Sequence, residues 1–207
     1  MGVLAKAPCR LGRQFHSWPL FFVLALALSI VNCAELSRLE FRSSRGIEAL
    51  IVFSVRCALP LFVIAFVASS LQVIWPSKQT RWLLGNRRYF GLAFAFGMGW
   101  HLSFVTYSVY LFGIKLNMLV LAADAIGAAF LLALTATSFK SISRHMLRRH
   151  WLQLHKTGVY AIWLLTVYIY QASARADRDL LHILILAILF AAWVVRLGAW
   201  TKVRFLR

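Results

Sequence analysis

Three ionisable residues lie far inside long apolar runs of the sequence: Arg56, His101 and Asp124. Burying a charge or an imidazole in a membrane core is costly, so such residues usually face a partner or a cavity and mark a functional site. An isolated guanidinium would be penalised, and Arg56 therefore needs a counter-charge. Either Asp124 or an anionic group of a cofactor can supply it. If these residues have only a structural role, we expect an Arg56–Asp124 ion pair.

Two histidines have both a structural and a chemical interpretation. His101 lies about thirteen residues into its apolar run, or roughly 20 Å at the rise of an α-helix. A neutral imidazole at that depth either hydrogen-bonds a neighbouring helix or ligates haem iron. His155 begins a later run. It is either an interfacial histidine beside positive charges, or a second axial ligand or a group on a haem propionate.

Other polar residues near the ends of apolar runs are predicted to be structural. Tyr168 and Tyr170 are assigned to an interfacial aromatic belt or to ordinary packing. Three glycines reduce the side-chain bulk on one side of the third run. Small residues let helices approach closely or leave room for a flat cofactor. The histidines predicted to be interfacial are His16, His145, His150 and His182, and the three glycines are Gly91, Gly97 and Gly99.

Six apolar runs must position these residues, and each has about the length needed to cross a bilayer as a helix. They cover residues 18–34, 47–75, 89–112, 116–139, 151–172 and 180–197. The sequence thus predicts an all-α integral membrane protein, a bundle of six transmembrane helices over 18–200. A cytoplasmic N-terminal segment at 1–17 and a basic cytoplasmic tail at 201–207 flank it. The first run also resembles a signal peptide, but Asn32 and Cys33 make a poor cleavage site, which favours a retained helix. Pro60 is tolerated in a membrane helix, with a kink.

Lysine and arginine are distributed unevenly between alternate loops, which predicts the orientation. Sixteen of them fall on the side of both termini and six on the other side, where five of the six acidic residues also lie. Cytoplasmic loops carry the excess of Lys and Arg, so both termini are predicted to be cytoplasmic. A bacterial inner membrane is the expected location.

The composition separates a membrane protein from a nucleic-acid-binding one. The chain is 61% hydrophobic with a formal net charge of +17. The charges lie between long apolar runs, so they indicate contact with anionic lipid headgroups and not with nucleic acid. Cys9, Cys33 and Cys57 lack the spacing of a disulfide framework or a zinc site.

Four stretches of the chain resemble the ferric reductase-like transmembrane domain superfamily, and within it the membrane haem-binding subunits of bacterial periplasmic methionine sulfoxide reductase systems. SVRCAL at 54–59 is similar to the family's Thr-Gly-Arg-x-Ala-Leu. RRYFGLAFAFGMGWHL at 87–102 is similar to Arg-Arg-x-x-Gly-Leu with a histidine ten residues after the glycine, here His101. LALTATSFKSI at 132–142 resembles the end of the family's fourth helix. WLQLHKTGVY at 151–160 is similar to Trp-x-x-Leu-His-x-x-x-Tyr, with one extra residue before the tyrosine.

The resemblance, whose core covers about 47–172, implies a helical bundle that binds haem b and passes electrons across the membrane. It implies His101 and His155 as axial ligands. Arg56, Arg87 and Arg88 would be partners of haem propionates or of a quinone, and quinone and FMN are further cofactors to consider. The chain has no G-x-G-x-x-G motif or flavin domain of its own, so a flavoprotein, a reductase or quinol is expected to supply electrons.

The chain departs from the family at one ligand position. The family usually has a further histidine thirteen residues after the first one of the fifth helix, where this chain has Tyr168. His101 and His155 are expected to lie roughly 20 Å apart along the bundle, too far to clamp one iron. Three outcomes are open. Each histidine could hold its own haem, with a second ligand that is weak, absent or tyrosine. Alternatively, the chain holds a single haem, or it has lost haem and kept the fold.

The leading functional expectation is therefore a membrane haem-b electron-transfer subunit with an acceptor on the outer side. The main alternative is a haem-free bundle of the same fold that acts as a partner-binding or assembly subunit. A third interpretation is a transporter with Arg56 and Asp124 along its pathway. The lack of an inverted repeat in the sequence argues against a transporter.

Overall fold

The computed structural model describes residues 18–39, 42–113, 118–177 and 179–205, and these residues form helices and no strand. The all-α prediction is confirmed. Predictions on residues 1–17, His16, Lys115, Arg178 and the last two residues lie outside the described part. The helices are α1 (Trp18–Arg38), α2 (Ser44–Ile74), α3 (Lys78–Phe112), α4 (Met118–Thr137), the short α5 (Lys140–Ser143), α6 (Arg148–Asp177) and α7 (Leu180–Phe205).

Four of the described helices, α1, α2, α4 and α7, are long and apolar enough to cross a membrane. Many of their large apolar side chains point outward, Phe22, Leu121 and Ile183 among them, as expected for helices surrounded by lipid. α3 and α6 contain 35 and 30 residues and are long enough to span, but they carry more polar residues. The membrane character of the protein therefore rests on four apolar helices.

Successive long helices run antiparallel, and α2 occupies the centre. α3 lies along α2 from Thr80, whose hydroxyl donates to the Gln72 amide oxygen, to His101 beside the Ile51 carbonyl. α7 also packs on α2 but runs parallel to it, so that Lys202 at its end donates to the last carbonyls of α2. Lysine at this position complements the negative end of the α2 dipole.

α1, α2 and α3 approach one another closely at one glycine. A Cβ atom added to Gly97 would lie 2.7 Å from Ala58 Cβ and 3.2 Å from Leu28 Cδ1, whereas Gly91 and Gly99 have open space around them. Of the three glycines, Gly97 alone is required for close packing. This contact fixes the part of α3 that carries His101 one turn later.

α4 pairs chiefly with α6 and stands apart from the α2–α3 pair. Thr137 near the end of α4 meets the first turns of α6, and Gly127 faces Leu165 further along. The gap between the α4–α6 pair and the α2–α3 pair contains the cavity described next.

Candidate functional site

A cavity of about 250 Å³ lies between these two pairs of helices, and His182 near the start of α7 also lines it. Most of its wall is apolar, with Phe94 and Leu131 among the lining side chains. Ionisable or hydroxyl-bearing side chains from four helices also line it. These are His101 from α3, Asp124 from α4, Thr166, Tyr170 and Ser173 from α6, and His182 from α7.

His101 is buried, with 7% of its surface exposed, and its ring orientation is fixed by the backbone of α2. Its Nδ1 lies 3.2 Å from the Ile51 carbonyl oxygen. A carbonyl only accepts, so Nδ1 carries the hydrogen and Nε2 keeps its lone pair. Histidines that ligate metals commonly donate their other ring N–H to such a carbonyl. His101 is therefore oriented as a ligand would be.

Asp124 lines the same cavity as His101, although no ion pair within 4 Å joins these two described residues. Its carboxylate does not contact Arg56. The predicted Arg56–Asp124 pair is thus wrong in its partner, because Arg56 Nη2 instead donates to Asp179 Oδ2 at 3.3 Å. An arginine–aspartate pair does form, but it connects α2 with the start of α7.

Arg56 belongs to a cluster at the Asp179 side of the cavity. Arg56 Nη2 also lies 3.1 Å from His182 Nε2. A guanidinium only donates, so Nε2 of His182 accepts and its Nδ1 carries the hydrogen. His182 was predicted to be interfacial, yet it is buried, with 7% of its surface exposed, and its ring lies 5.8 Å from that of Tyr170.

Asp179 lies just before α7, outside the membrane-spanning helices, and its carboxylate is exposed. The Leu181 backbone N–H donates to Asp179 Oδ1 at 3.1 Å. This hydrogen bond and the neighbouring Arg56 guanidinium hold the pKa of the Asp179 carboxyl below its ordinary value. The carboxylate thus stabilises the start of α7 and neutralises part of the Arg56 charge.

His155 lies in a different environment from His101 and is not among the residues that line the cavity. The Thr137 hydroxyl donates to the Ala133 carbonyl at 2.7 Å, so its oxygen accepts from His155 Nε2 at 3.1 Å. The His155 ring lies 4.3 Å from the Trp151 ring. Ligation of a metal by Nε2 of His155 would require the bond to Thr137 to break.

The other predicted site residues also lie away from the cavity. Tyr168 is 48% exposed, whereas its neighbours Ile169 and Tyr170 line the cavity. Arg87 is exposed, and its charge acts on His155. The guanidinium of Arg88 lies 5.7–5.8 Å from the ring centres of Trp18, Tyr89 and Phe139, distances typical of cation–π contacts.

The fold and the site define a helical membrane protein with ionisable side chains gathered around a cavity inside its bundle. No protein-family model, curated protein or solved structure matches the chain. No group of three or more His, Cys, Asp or Glu that could hold a metal ion is found in the described part of the chain.

Proposed function

We propose that this protein is a membrane electron-transfer subunit that binds haem b and carries electrons from a flavoprotein or quinol partner to an acceptor on the outer side. One observation carries the proposal. His101 lies at a cavity inside the bundle with Nδ1 bonded to the Ile51 carbonyl, which leaves the lone pair on Nε2. The resemblance of four sequence stretches to haem-binding membrane subunits supports the same reading.

His101 supplies one donor nitrogen that suits haem iron, but the cavity is smaller than a porphyrin, so haem would enter only with movement of one helix. About 250 Å³ is just under the roughly 300–1,000 Å³ of typical small-molecule pockets, and a porphyrin needs more space. α4 is the helix that can give way, because Ala123 and Thr137 are the buried residues described in it. Haem, when bound, supplies one-electron chemistry. His101 would hold it, and the apolar wall would exclude water and tune its potential.

The proposal includes six membrane spans with both termini in the cytoplasm. α3 runs beside α2 between the levels of Gln72 and Ile51. α6 runs from the end of α4, where Trp151 donates to the Thr137 carbonyl, to the start of α7, where Tyr170 meets His182. Since α2, α4 and α7 are apolar enough to span, α3 and α6 cross the same thickness beside them.

Charge supports the orientation, and the sequence resemblance to bacterial membrane subunits supports an inner-membrane location in a bacterium. We call the end of the bundle that carries Lys78, Arg81, Arg144, Arg148 and Lys202 the basic end. Lys202 bonds the last turn of α2 there. By the positive-inside rule, this end faces the cytoplasm, and a reductase partner would deliver electrons to it. His101 and Asp179 lie toward the opposite end.

The test is a dithionite-reduced minus oxidised absorbance spectrum of the detergent-purified protein, with a pyridine haemochrome assay for stoichiometry. We expect b-type bands that His101→Ala abolishes or reduces several-fold, because the variant lacks the imidazole whose Nε2 would bind the iron. His145→Ala is the matched control, since His145 is exposed and bonds within its own chain segment. A monodisperse protein without a Soret band, even after expression with added haem, would overturn the proposal.

His155 is tested by stoichiometry in the same assay. Two haems per chain that fall to one in His155→Ala would support the separate second site that the resemblance implies. One haem per chain, unchanged in His155→Ala, would restrict haem to the cavity beside His101.

A second candidate function is a haem-free bundle that binds a membrane partner or assists assembly. The observation that favours it is the bond between His155 Nε2 and Thr137, which leaves His155 outside the cavity and His101 without a second histidine free to coordinate. The absence of a Soret band would favour this candidate, and chemical cross-linking in native membranes would then identify the partner.

A further inference from the structure

Arg88 on α3 is a partly buried cation whose charge is not neutralised within the described part of the chain. No carboxylate lies within 4 Å of it there, since the ion pairs of the described residues involve other side chains. Its Nε atom is inaccessible to solvent and has no hydrogen-bond partner among these residues. A buried charge without a partner is destabilising, so an anion that binds the terminal guanidinium nitrogens would stabilise this position.

Three aromatic rings from three parts of the bundle hold the Arg88 guanidinium in place. Its Cζ atom lies 5.8 Å from the ring centre of Trp18 on α1, 5.7 Å from that of Tyr89 on α3 and 5.8 Å from that of Phe139 before α5. The Trp18 ring also lies 5.7 Å from Tyr89 and 6.2 Å from Phe139. Cation–π contacts fix the position of a guanidinium but leave its net charge in place.

The same three rings mark the boundary of the apolar part of the bundle. Trp18 and Tyr89 are the first residues of their apolar runs, and Phe139 is the last residue of its run. Aromatic residues at such positions lie at the level of the lipid headgroups. Trp18 and Phe139 are 39% and 37% exposed, so part of each ring is open to a neighbouring lipid. Arg88 therefore lies at the depth of the lipid phosphates.

The segments that form this end of the bundle contain no acidic side chain. The stretches of the sequence without Asp or Glu are residues 1–34, 49–123 and 125–176. Two further cations, Arg87 and Lys140, are exposed next to the site. A counter-anion must therefore come from another molecule. The planar guanidinium matches a phosphate group, which it binds through paired N–H donors.

We propose that Arg88 and the rings of Trp18, Tyr89 and Phe139 form a binding site for an anionic phospholipid of the leaflet at the basic end. The guanidinium binds the lipid phosphate, and the exposed parts of Trp18 and Phe139 contact the glycerol and the upper acyl chains. A headgroup with net negative charge is favoured over a choline headgroup, because choline adds a cation beside Arg87 and Lys140. This inference does not depend on haem binding.

The test is native mass spectrometry of the detergent-purified full-length protein, titrated with phosphatidylglycerol or phosphatidylcholine of identical acyl chains. Wild type is expected to bind phosphatidylglycerol more tightly. Arg88→Gln should lower that affinity about fivefold or more, the effect of one arginine at an anionic membrane surface. Arg88→Lys, which keeps the charge but loses the fork, should fall between the two. Arg81→Gln is the matched control, because Arg81 is an exposed arginine of the same helix, and it should bind as wild type does.

Four outcomes would overturn this assignment. Equal affinity of wild type for the two lipids would do so without the need for any variant to fold. Equal losses in Arg88→Gln and Arg81→Gln would indicate diffuse attraction to the basic end. Displacement of the lipid by inorganic phosphate, lost in Arg88→Gln, would assign the site to free phosphate. Loss of haem in Arg88→Gln with unchanged lipid binding would instead favour a contact of Arg88 with a haem propionate. A protein that binds phosphatidylglycerol at Arg88 but lacks haem would overturn the proposed function alone.

Discussion

The Arg56 guanidinium pairs with a carboxylate that is far away in the sequence. No local sequence pattern indicates this partner. Its partner Asp179 is 123 residues away and lies in the turn before α7. Two features favour this pairing over one with Asp124. Asp179 is close to water, so its carboxylate loses little hydration, and the long arginine side chain reaches toward the membrane surface, as charged side chains near helix ends do.

Asp179 should make stability depend on pH in acid. Its folded-state pKa lies below the ordinary value of 3.8. A depressed pKa means that the stabilisation is present above 3.8 and is lost as the pH falls through the folded-state pKa. We expect Asp179→Asn to lower the melting temperature in detergent at pH 6, and the difference from wild type to shrink as the pH falls below about 4.

Glu48→Gln provides the control for this titration, because Glu48 is also an exposed carboxylate in the first turns of a helix at the same end of the bundle. It should leave the acid limb of the wild-type curve in place. A constant difference between wild type and Asp179→Asn from pH 6 to pH 3 would contradict the role assigned to this carboxylate.

The sequence predicts part of the candidate site and leaves the rest open for a physical reason. Depth along an apolar run was enough to single out His101, and the structure buries it at a cavity. Tyr170 could not be distinguished from Tyr168 in the same way. The rotation of a membrane helix is set by its packing on neighbouring helices, and the positions of two tyrosines two residues apart do not indicate that packing. The roles of Tyr168, His155, Arg87 and Arg88 stay predictions.

At the scale of elements, the existence of the helices was easier to predict than where they begin. α3 begins at Lys78, eleven residues before the apolar run that marks it, because Ser77 and Thr80 form a reciprocal cap. Such a cap satisfies backbone N–H groups that the first turn leaves unpaired. Hydropathy detects the part of a helix that meets lipid, whereas capping determines where the helix starts.

The close approach of α1, α2 and α3 leads to a prediction about Gly97. Gly97→Ala should destabilise the bundle by roughly 1–3 kcal/mol, the usual cost of overpacking, because the new Cβ would lie 2.7 Å from Ala58 Cβ. Gly99→Ala should be nearly neutral, since nothing lies within 4 Å of its added Cβ. Thermal unfolding in the same detergent checks both, and equal effects of the two variants would contradict the packing argument.

At the scale of the whole molecule, hydropathy identifies four helices that could cross the membrane, whereas the packing of α3 and α6 beside them favours six. A helix pressed against spanning neighbours needs fewer apolar residues of its own, because part of its surface never meets lipid. α3 buries Asn86, His101 and Ser108 against other helices. These polar residues lower its hydropathy without a cost in lipid, and this is the physical basis for proposing that α3 crosses the membrane.

Cysteine labelling in whole cells tests this topology. In a chain with Cys9, Cys33 and Cys57 replaced by alanine, single cysteines at exposed positions Ser44, Gln79, Ser141 and Ala172 would be reacted with a membrane-impermeant maleimide. Six spans predict that Ser44→Cys and Ala172→Cys react in intact cells, and that Gln79→Cys and Ser141→Cys react only after permeabilisation. If α3 did not cross, Gln79 and Ser141 would fall on opposite sides. If α6 did not cross, Ser141 and Ala172 would share a side. Either pattern would reduce the bundle below six spans and remove His101 or Tyr170 from the membrane interior.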